Sequence, residues 1–323
     1  MLANLFFESY KSQVEEAVKE LVSNDSTQLV GFVLDMFSSC MIDVANKFMV
    51  PSNIFLPTNT VFLGFLLHFP TRDKQVGVHF RLSDPDSVIP SCENLVPVNV
   101  LPGAVFDKKG GGYESFLYIV SPFLVLWDYG VFNKPQLEQI AIALETSGHP
   151  FLCSVRKPPP KDTYGVPSDY TNMEEVLPDG FLERVKERGM VCGWVPQVEV
   201  LAHGAVKGFV SHCGWNSILE SLWFNVPIAT WPLDAEQQLN AFLLVKELEL
   251  AVELSLSYRS SGSDLVMADH IERAVESLMD DANPVRERVK GISEKGRNAV
   301  IKGGSSFATL EKLVQDMLQN VIV

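Results

Sequence analysis

The sequence predicts an α/β protein in two halves, each a parallel sheet with helices packed on its faces. Short apolar runs alternate with amphipathic stretches in two separate blocks, and a long irregular region lies between the blocks, with the junction near residue 120. The 323 residues, 46% of them hydrophobic, are enough to build two cores.

The first block opens on a helix over about 6–22, where Phe6, Phe7, Tyr10, Val14, Ala17, Val18 and Leu21 share a face opposite Lys and Glu. An apolar run over 28–34 ends at Asp35, a helical pattern covers 40–48, and a short strand follows over 52–56. From Thr71 to Gly112 the chain is rich in Pro, Asp, Ser and Gly without periodicity, which predicts a long loop region. The second block predicts a strand over 123–126, a helix over 134–147 and a strand over 150–155. The loop KPPPKDTYGVPSDY comes next, then a helix near 181–188 and a strand over 190–192. Helices over 267–279, 284–302 and 306–318 close the chain. Such a plan puts the binding cleft between the halves and at strand C-termini.

A net charge of −14 excludes a phosphate-backbone partner, because non-specific nucleic-acid binding needs clustered Lys and Arg. Any phosphate must be held locally, by helix N-termini, backbone amides and neutral side chains. The five cysteines are odd in number and widely spaced, with no CxxC pair, which fits a reducing cytosol. The first twenty residues lack a basic leader pattern, and the most apolar run, 61–69, falls short of the roughly 20 residues that span a bilayer. The expectation is a soluble cytoplasmic protein with no membrane anchor.

The chemistry concentrates between Trp194 and Gln237. Lys207–Ser211 is a short apolar strand, Cys213-Gly214-Trp215-Asn216-Ser217 is a turn, and a helix continues through Ile218, Leu219, Leu222 and Phe224. A strand, a glycine turn and a helix N-terminus present free amides and a positive dipole end to a pyrophosphate, with Gly214 allowing close approach. Asn216 and Ser217 add neutral donors, and Glu220, one turn on, can accept from ribose hydroxyls. After the strand over 227–231, Glu236 and Gln237 offer an acceptor and an amide to a second polyhydroxy ring. Trp223 and Trp231 read as core or cleft wall. Gly110-Gly111-Gly112 has no preceding strand and no Lys-Ser/Thr after it, so it reads as a loop beside solvated Lys108 and Lys109.

The run WVPQVEVLAHGAVKGFVSHCGWNSILESLWFNVPIATWPLDAEQ resembles, over its full length, the signature box of plant secondary-product UDP-glycosyltransferases. GFVLDMFSSCMIDVANKF, VFDKKGGGYESF, IAIALETSGHPFL and GGSSFATLEKLVQDML extend the likeness to the subgroup that glucosylates flavonoids, phenolics and hormones. The resemblance implies a GT-B fold of two facing Rossmann-like domains. Residues 1–120 would be an incomplete acceptor domain, 121–305 the UDP-sugar donor domain, and 306–323 a helix packing back toward the first. It also implies donor contacts. Trp194, with Val195 beside it, stacks on uracil and Gln197 touches uridine; His212, Gly214, Asn216 and Ser217 hold the diphosphate; Glu220 binds ribose; Trp215 lines the sugar pocket; and Glu236 with Gln237 holds sugar hydroxyls. The partners implied are UDP-glucose or a related UDP-sugar and a small hydroxylated acceptor, with no metal and no cofactor. The reaction implied is inverting hexosyl transfer driven by a His general base.

Three departures stand out. Asn225 replaces a usual glycine, and Asn is the next most tolerant residue for a left-handed turn. The place of a Phe-Gly-Ser loop reads Leu126-Trp127-Asp128, which predicts weaker donor binding. None of His68, His79, His149, His203, His212 and His270 matches the base motif and the family's first strand is missing, so the chain reads as truncated at its start; YESFLYI running almost directly into SPFLVLWDYGVF also reads as an internal deletion near 118–123. Asp35 matches the carboxylate that orients the absent His, or else it is an ordinary helix cap. The alternative to an active transferase is a silent homologue, or an incomplete gene model, retaining only a nucleotide-sugar site.

Overall fold

The computed structural model describes residues 7–23, 28–35, 38–76, 79–106, 132–158, 167–259 and 264–319. These divide into two compact units, one within 1–98, 103–127 and 294–323, the other within 99–102 and 128–293.

In the first unit, α1 (Lys11–Val22) buries Val18. It packs with Val14 against Leu34 of β1 (Phe32–Asp35) and Val44 of α2 (Ile42–Lys47). β1 pairs in parallel with β2 (Ser52–Phe55), from Phe32 opposite Ser52 to Asp35 opposite Phe55. The loop expected from Thr71 is corrected at its start, because α3 runs from Thr60 to Val76, straight through Pro70. Asn59 caps this helix by accepting from the Phe62 N–H at 2.8 Å, and Phe62, Phe65, Leu66 and Phe69 form a buried stripe at helical spacing. The last turn is tied down by Arg72, which lies 3.5 Å from the Phe80 ring centre and 3.6 Å from the Asp84 carboxylate. The composition from Thr71 on reads as loop in sequence, but these tertiary contacts carry the helix past Pro70 to Val76. From 79 to 106, of which 99–102 belong to the second unit, the chain is irregular apart from an antiparallel bridge between Ser87 and Val96 and short 3₁₀ turns at Val98–Val100 and Gly103–Phe106.

The second unit holds the helices and strands that the second block predicts between 134 and 279. α4 (Lys134–Thr146) starts with Asn133 accepting from the Gln136 N–H. β3 (Phe151–Ser154) pairs in parallel with β6 (Gly189–Cys192). Between them a two-residue antiparallel pair, β4 (Arg156–Lys157) with β5 (Ser168–Asp169), closes the proline-rich loop, and α5 (Phe181–Val185) follows. The central sheet is β7 (Phe209–Ser211), β8 (Ile228–Thr230) and β9 (Ala251–Glu253), all parallel, with β8 in the middle and wholly buried. Ser211, Thr230 and Glu253 are register partners, so all three strands end on one edge.

Two clusters sandwich that sheet. Trp231, Leu254, Ile271 and Leu278 pack with Phe132 on one side; Ile218, Ile228, Leu244 and Val289 pack on the other. α9 (Ala268–Met279), α10 (Pro284–Val300) and α11 (Ser305–Gln319) complete the chain. In the first unit an added side chain at Gly31 would run into Met317 of α11 and Pro51. The strand expected over 123–126, the Leu126-Trp127-Asp128 loop, the junction near 118–123 and the triple glycine lie outside the described residues. Among the described residues no helix is long and apolar enough to cross a membrane.

Candidate functional site

The site is built where β7 and β8 end. The chain leaves β7 at Ser211 and turns through His212, Cys213 and Gly214 into α7 (Trp215–Trp223). Cys213 takes a left-handed φ of 64°, unusual for a residue with a side chain. Two contacts hold it there: its N–H donates to Ser211 Oγ at 3.1 Å, and its carbonyl accepts from Asn240 Nδ2 at 2.9 Å. Burial pushes the Cys213 thiol up to about 12, so it is a packed thiol and not a nucleophile.

Gly214 stands at the N-cap with extended backbone, φ −61° and ψ 139°, and has no side chain to cap the helix. The amides of the first turn of α7 therefore face the strand ends with the positive end of the helix dipole behind them. The space a Cβ would fill at Gly214 is taken by His212, whose Nε2 would lie 2.5 Å from it. Burial lowers the His212 pKa below 6.5, so at neutral pH it is an uncharged imidazole with one N–H to give.

A short helix, α6 (Gln197–Leu201), meets this turn. Gln197 Nε2 donates to Ser217 Oγ at 3.0 Å and to Glu220 Oε2 at 2.7 Å. One amide thus joins the residue expected at the phosphate to the residue expected at the ribose. Ser217 is buried while Asn216 is exposed at the helix start. Trp215 packs into the cluster beneath β7, and Val195 is half-buried. Trp194 is 67% exposed, and its N–H donates to Asp169 Oδ1 at 3.0 Å.

The loop after β8 brings in Glu236, at the N-cap of α8 (Gln237–Phe242). Burial raises the Glu236 pKa, partly offset by its own backbone N–H and by Asn240, whose Nδ2 lies 3.5 Å from Oε1. Gln237 folds back on its own loop, Oε1 accepting from the Leu233 and Asp234 N–H groups at 2.9 and 3.0 Å. Trp231 is core, 4.7 Å from Phe132 and 5.8 Å from Tyr258 between ring centres. Asn225 takes the left-handed turn its position asks for, with φ 59°. In the other unit Asp35 accepts from the Ser38 N–H at 2.7 Å and from Ser38 Oγ at 3.1 Å, the bonds of a turn cap. Among the described residues no group of three or more His, Cys, Asp or Glu is placed to hold a metal ion.

The sequence reading missed Asn240 and Asp169. Asn240 lies four residues after Glu236 on one helix face, a spacing that was visible once α8 was recognised. Asp169 meets Trp194 only through the fold.

Parallel strand ends, an uncapped helix N-terminus and converging neutral donors are the arrangement found in nucleotide-binding α/β units. Residues 131–289 match the family described as UDP-glucoronosyl and UDP-glucosyl transferase. Anthocyanidin 3-O-glucosyltransferase 6 of Manihot esculenta is 38% identical, over 98% of this chain and 98% of its own length. The crystal structure of a ugt transferase from Siraitia grosvenorii in complex with UDP superposes with a TM-score of 0.84 at 36% identity, covering 98% of this chain and 88% of that one. Medicago truncatula UGT71G1 complexed with UDP-glucose gives 0.81 at 35% identity, covering 97% and 80%. The chain belongs to the UDP-glycosyltransferase family, and its fold is of the GT-B type. The alignment with the Manihot relative runs over 386 positions against the 323 residues of this chain, so it opens gaps on the side of this chain.

Proposed function

We propose that the chain transfers a hexose, probed first as glucose, from a UDP-sugar to a hydroxyl of a small phenolic, flavonoid or hormone-like acceptor with inversion at the anomeric carbon. The observation that carries the reading is the Gln197 amide tied to Ser217 and Glu220 beside the uncapped start of α7. That arrangement offers a phosphate donor set and a ribose acceptor at adjoining positions on one helix.

In this reading the Trp194 indole, flanked by Val195, stacks on uracil and Gln197 contacts the uridine. The diphosphate sits on the α7 amides with His212, Asn216 and Ser217, and Gly214 leaves the approach open. Glu220 accepts from ribose hydroxyls. Trp215 borders the sugar, and Glu236 accepts from sugar hydroxyls while the Gln237 Nε2 donates to them, its Oε1 being used by the loop. As UDP departs, the neutral donors and helix dipole stabilise the growing diphosphate charge without a fixed cation. The donor half is assigned to 121–305, the acceptor half to 1–120, and the closing helix 306–323 to the acceptor half. Asp35 is assigned the orienting carboxylate of the acceptor side, and no residue is assigned as general base. No metal enters the reading, and the workplace assigned is the cytoplasm.

The name of the Manihot relative, an anthocyanidin 3-O-glucosyltransferase, supports a flavonoid-like acceptor. The comparisons favour a transferase over a silent remnant. Calorimetry with UDP and UDP-glucose tests the donor site, and no binding at millimolar ligand would sink it. Turnover of radiolabelled UDP-glucose against a panel of phenolics tests transfer, with Glu236→Ala expected to abolish it.

A further inference from the structure

Trp194 carries the ring assigned to the base, yet at 67% exposure little packing holds it. Its backbone is held from outside the signature segment. Asp169 Oδ1 accepts from the Trp194 N–H at 3.0 Å and also pairs with Arg156 Nε at 2.9 Å. Arg156 and Asp169 face each other across β4 and β5, and the guanidinium donates further to the Ser168 and Pro167 carbonyls. At the neighbouring Gly193 an added Cβ would fall on the Asp169 carboxylate, so the carboxylate fills the space beside the turn. From the other side Ser154 Oγ donates to the Gly193 carbonyl at 2.7 Å. The 193–194 turn is therefore clamped between two pairs of strands while the indole stands in solvent.

We propose that Asp169 is a positioning residue for the base of the donor: held by Arg156, it fixes the Trp194 backbone so that the indole is presented for stacking before ligand arrives. The proposal rests on the donor-site reading and deepens it. A flat ring on a loose turn would have to be ordered by each incoming ligand, and pre-ordering removes that cost. Asp169 touches neither phosphate nor sugar in this scheme. Its effect is confined to ligands that carry the base.

The experiment is calorimetry on the full chain with two probes, UDP and inorganic pyrophosphate, across Trp194→Ala, Asp169→Ala, Asp169→Asn, Arg156→Met and the Trp194→Ala/Asp169→Ala double variant. Asp169→Ala is expected to weaken UDP about three- to tenfold, the scale of one charge-assisted hydrogen bond partly screened by solvent, and to leave pyrophosphate unchanged. Asp169→Asn keeps an oxygen for the Trp194 N–H and recovers most of the loss. The double variant binds UDP no more weakly than Trp194→Ala alone. Arg156→Met repeats the Asp169→Ala pattern with a smaller loss, and serves if Asp169→Ala does not fold. Equal losses for UDP and pyrophosphate, additivity with Trp194→Ala, or wild-type UDP affinity in Asp169→Ala would each overturn the positioning role. If Trp194→Ala itself binds UDP like wild type, the assignment of the indole to the base fails instead.

Discussion

Gly214→Ala is the sharpest probe of the phosphate turn, because its backbone and its surroundings make opposite demands. With φ −61° and ψ 139°, position 214 accepts any L-residue without strain, so backbone conformation predicts a silent substitution. The surroundings predict otherwise. The new methyl would sit 2.5 Å from His212 Nε2, 3.2 Å from Cδ2 and 3.3 Å from Cε1, where ordinary contact begins near 3.4 Å. Three atoms of one ring are involved, so the imidazole must swing away as a body. Overpacking of this kind costs about 1–3 kcal/mol. Displacing His212 would also remove the donor proposed for the diphosphate, and a hydrogen bond to a charged group is worth roughly 1.5–3 kcal/mol, or about ten- to a hundredfold in affinity. Urea unfolding should show the first effect and UDP-glucose calorimetry the second. The cause is isolated by a double-mutant cycle with His212→Ala, which empties the space the methyl needs. In that background Gly214→Ala should cost almost nothing in either assay. Unchanged stability and affinity in the single variant, or full additivity with His212→Ala, would refute the argument.

Three further substitutions read the same site. His212 has its folded-state pKa lowered by burial, so its contribution to stability is complete above the ordinary 6.5 and is lost as pH falls through the lowered value. His212→Gln should flatten that part of the Tm profile between pH 7 and 4.5, and an unchanged profile would show that the ring is not buried neutral. Glu236 has its pKa raised by burial, so the folded chain holds its proton longer than the unfolded chain and stability falls as pH rises through 4.5 and beyond. Glu236→Gln should raise Tm at pH 7 while weakening UDP-glucose more than UDP; equal weakening of the two ligands would remove the sugar from its role. Asn225→Ala should cost about 1 kcal/mol, because alanine lacks the tolerance of asparagine for the left-handed turn at φ 59°. It should leave UDP affinity alone, which calorimetry checks.

The strand-turn-helix from 207 to 224 was legible because each part has a local cause. Apolar residues make the strand, Gly214 opens the helix, and the helix face repeats at 218 and 222. The alternation of short strands and helices was legible for the same reason, down to β1, β2, β3 and the last three helices. Where tertiary contacts overrule a local signal, the reading failed. The stretch from Thr71 looks like loop, yet α3 runs on to Val76 because Phe65, Phe69 and Phe80 pack together and Arg72 is tied beyond Pro70. α6 and α8, at five and six residues, are too short for periodicity to reveal. Asp35 shows a third limit. Its sequence context suits both an imidazole partner and a cap, and the bonds it accepts from the Ser38 N–H and hydroxyl appear only in the fold.

Several of the residues assigned to the donor share a further property that no pattern along the chain expresses: they are fixed by a polar group that the signature segment does not single out, or by another member's side chain. Cys213, whose left-handed turn aims His212 and Gly214, is held by Ser211 and Asn240. Ser217 and Glu220 are joined by Gln197, and Trp194 by Asp169. A chain of net charge −14 gains from this design. A diphosphate held by uncharged donors needs those donors oriented in advance, because an ill-aimed amide or imidazole, unlike a lysine, gives little at a distance. The cost of order is met during folding, by the contacts around the turn. Substitutions at Asn240, Ser211 or Asp169 should therefore weaken ligand binding without touching ligand, and should do so more than substitutions of exposed residues at equal distance.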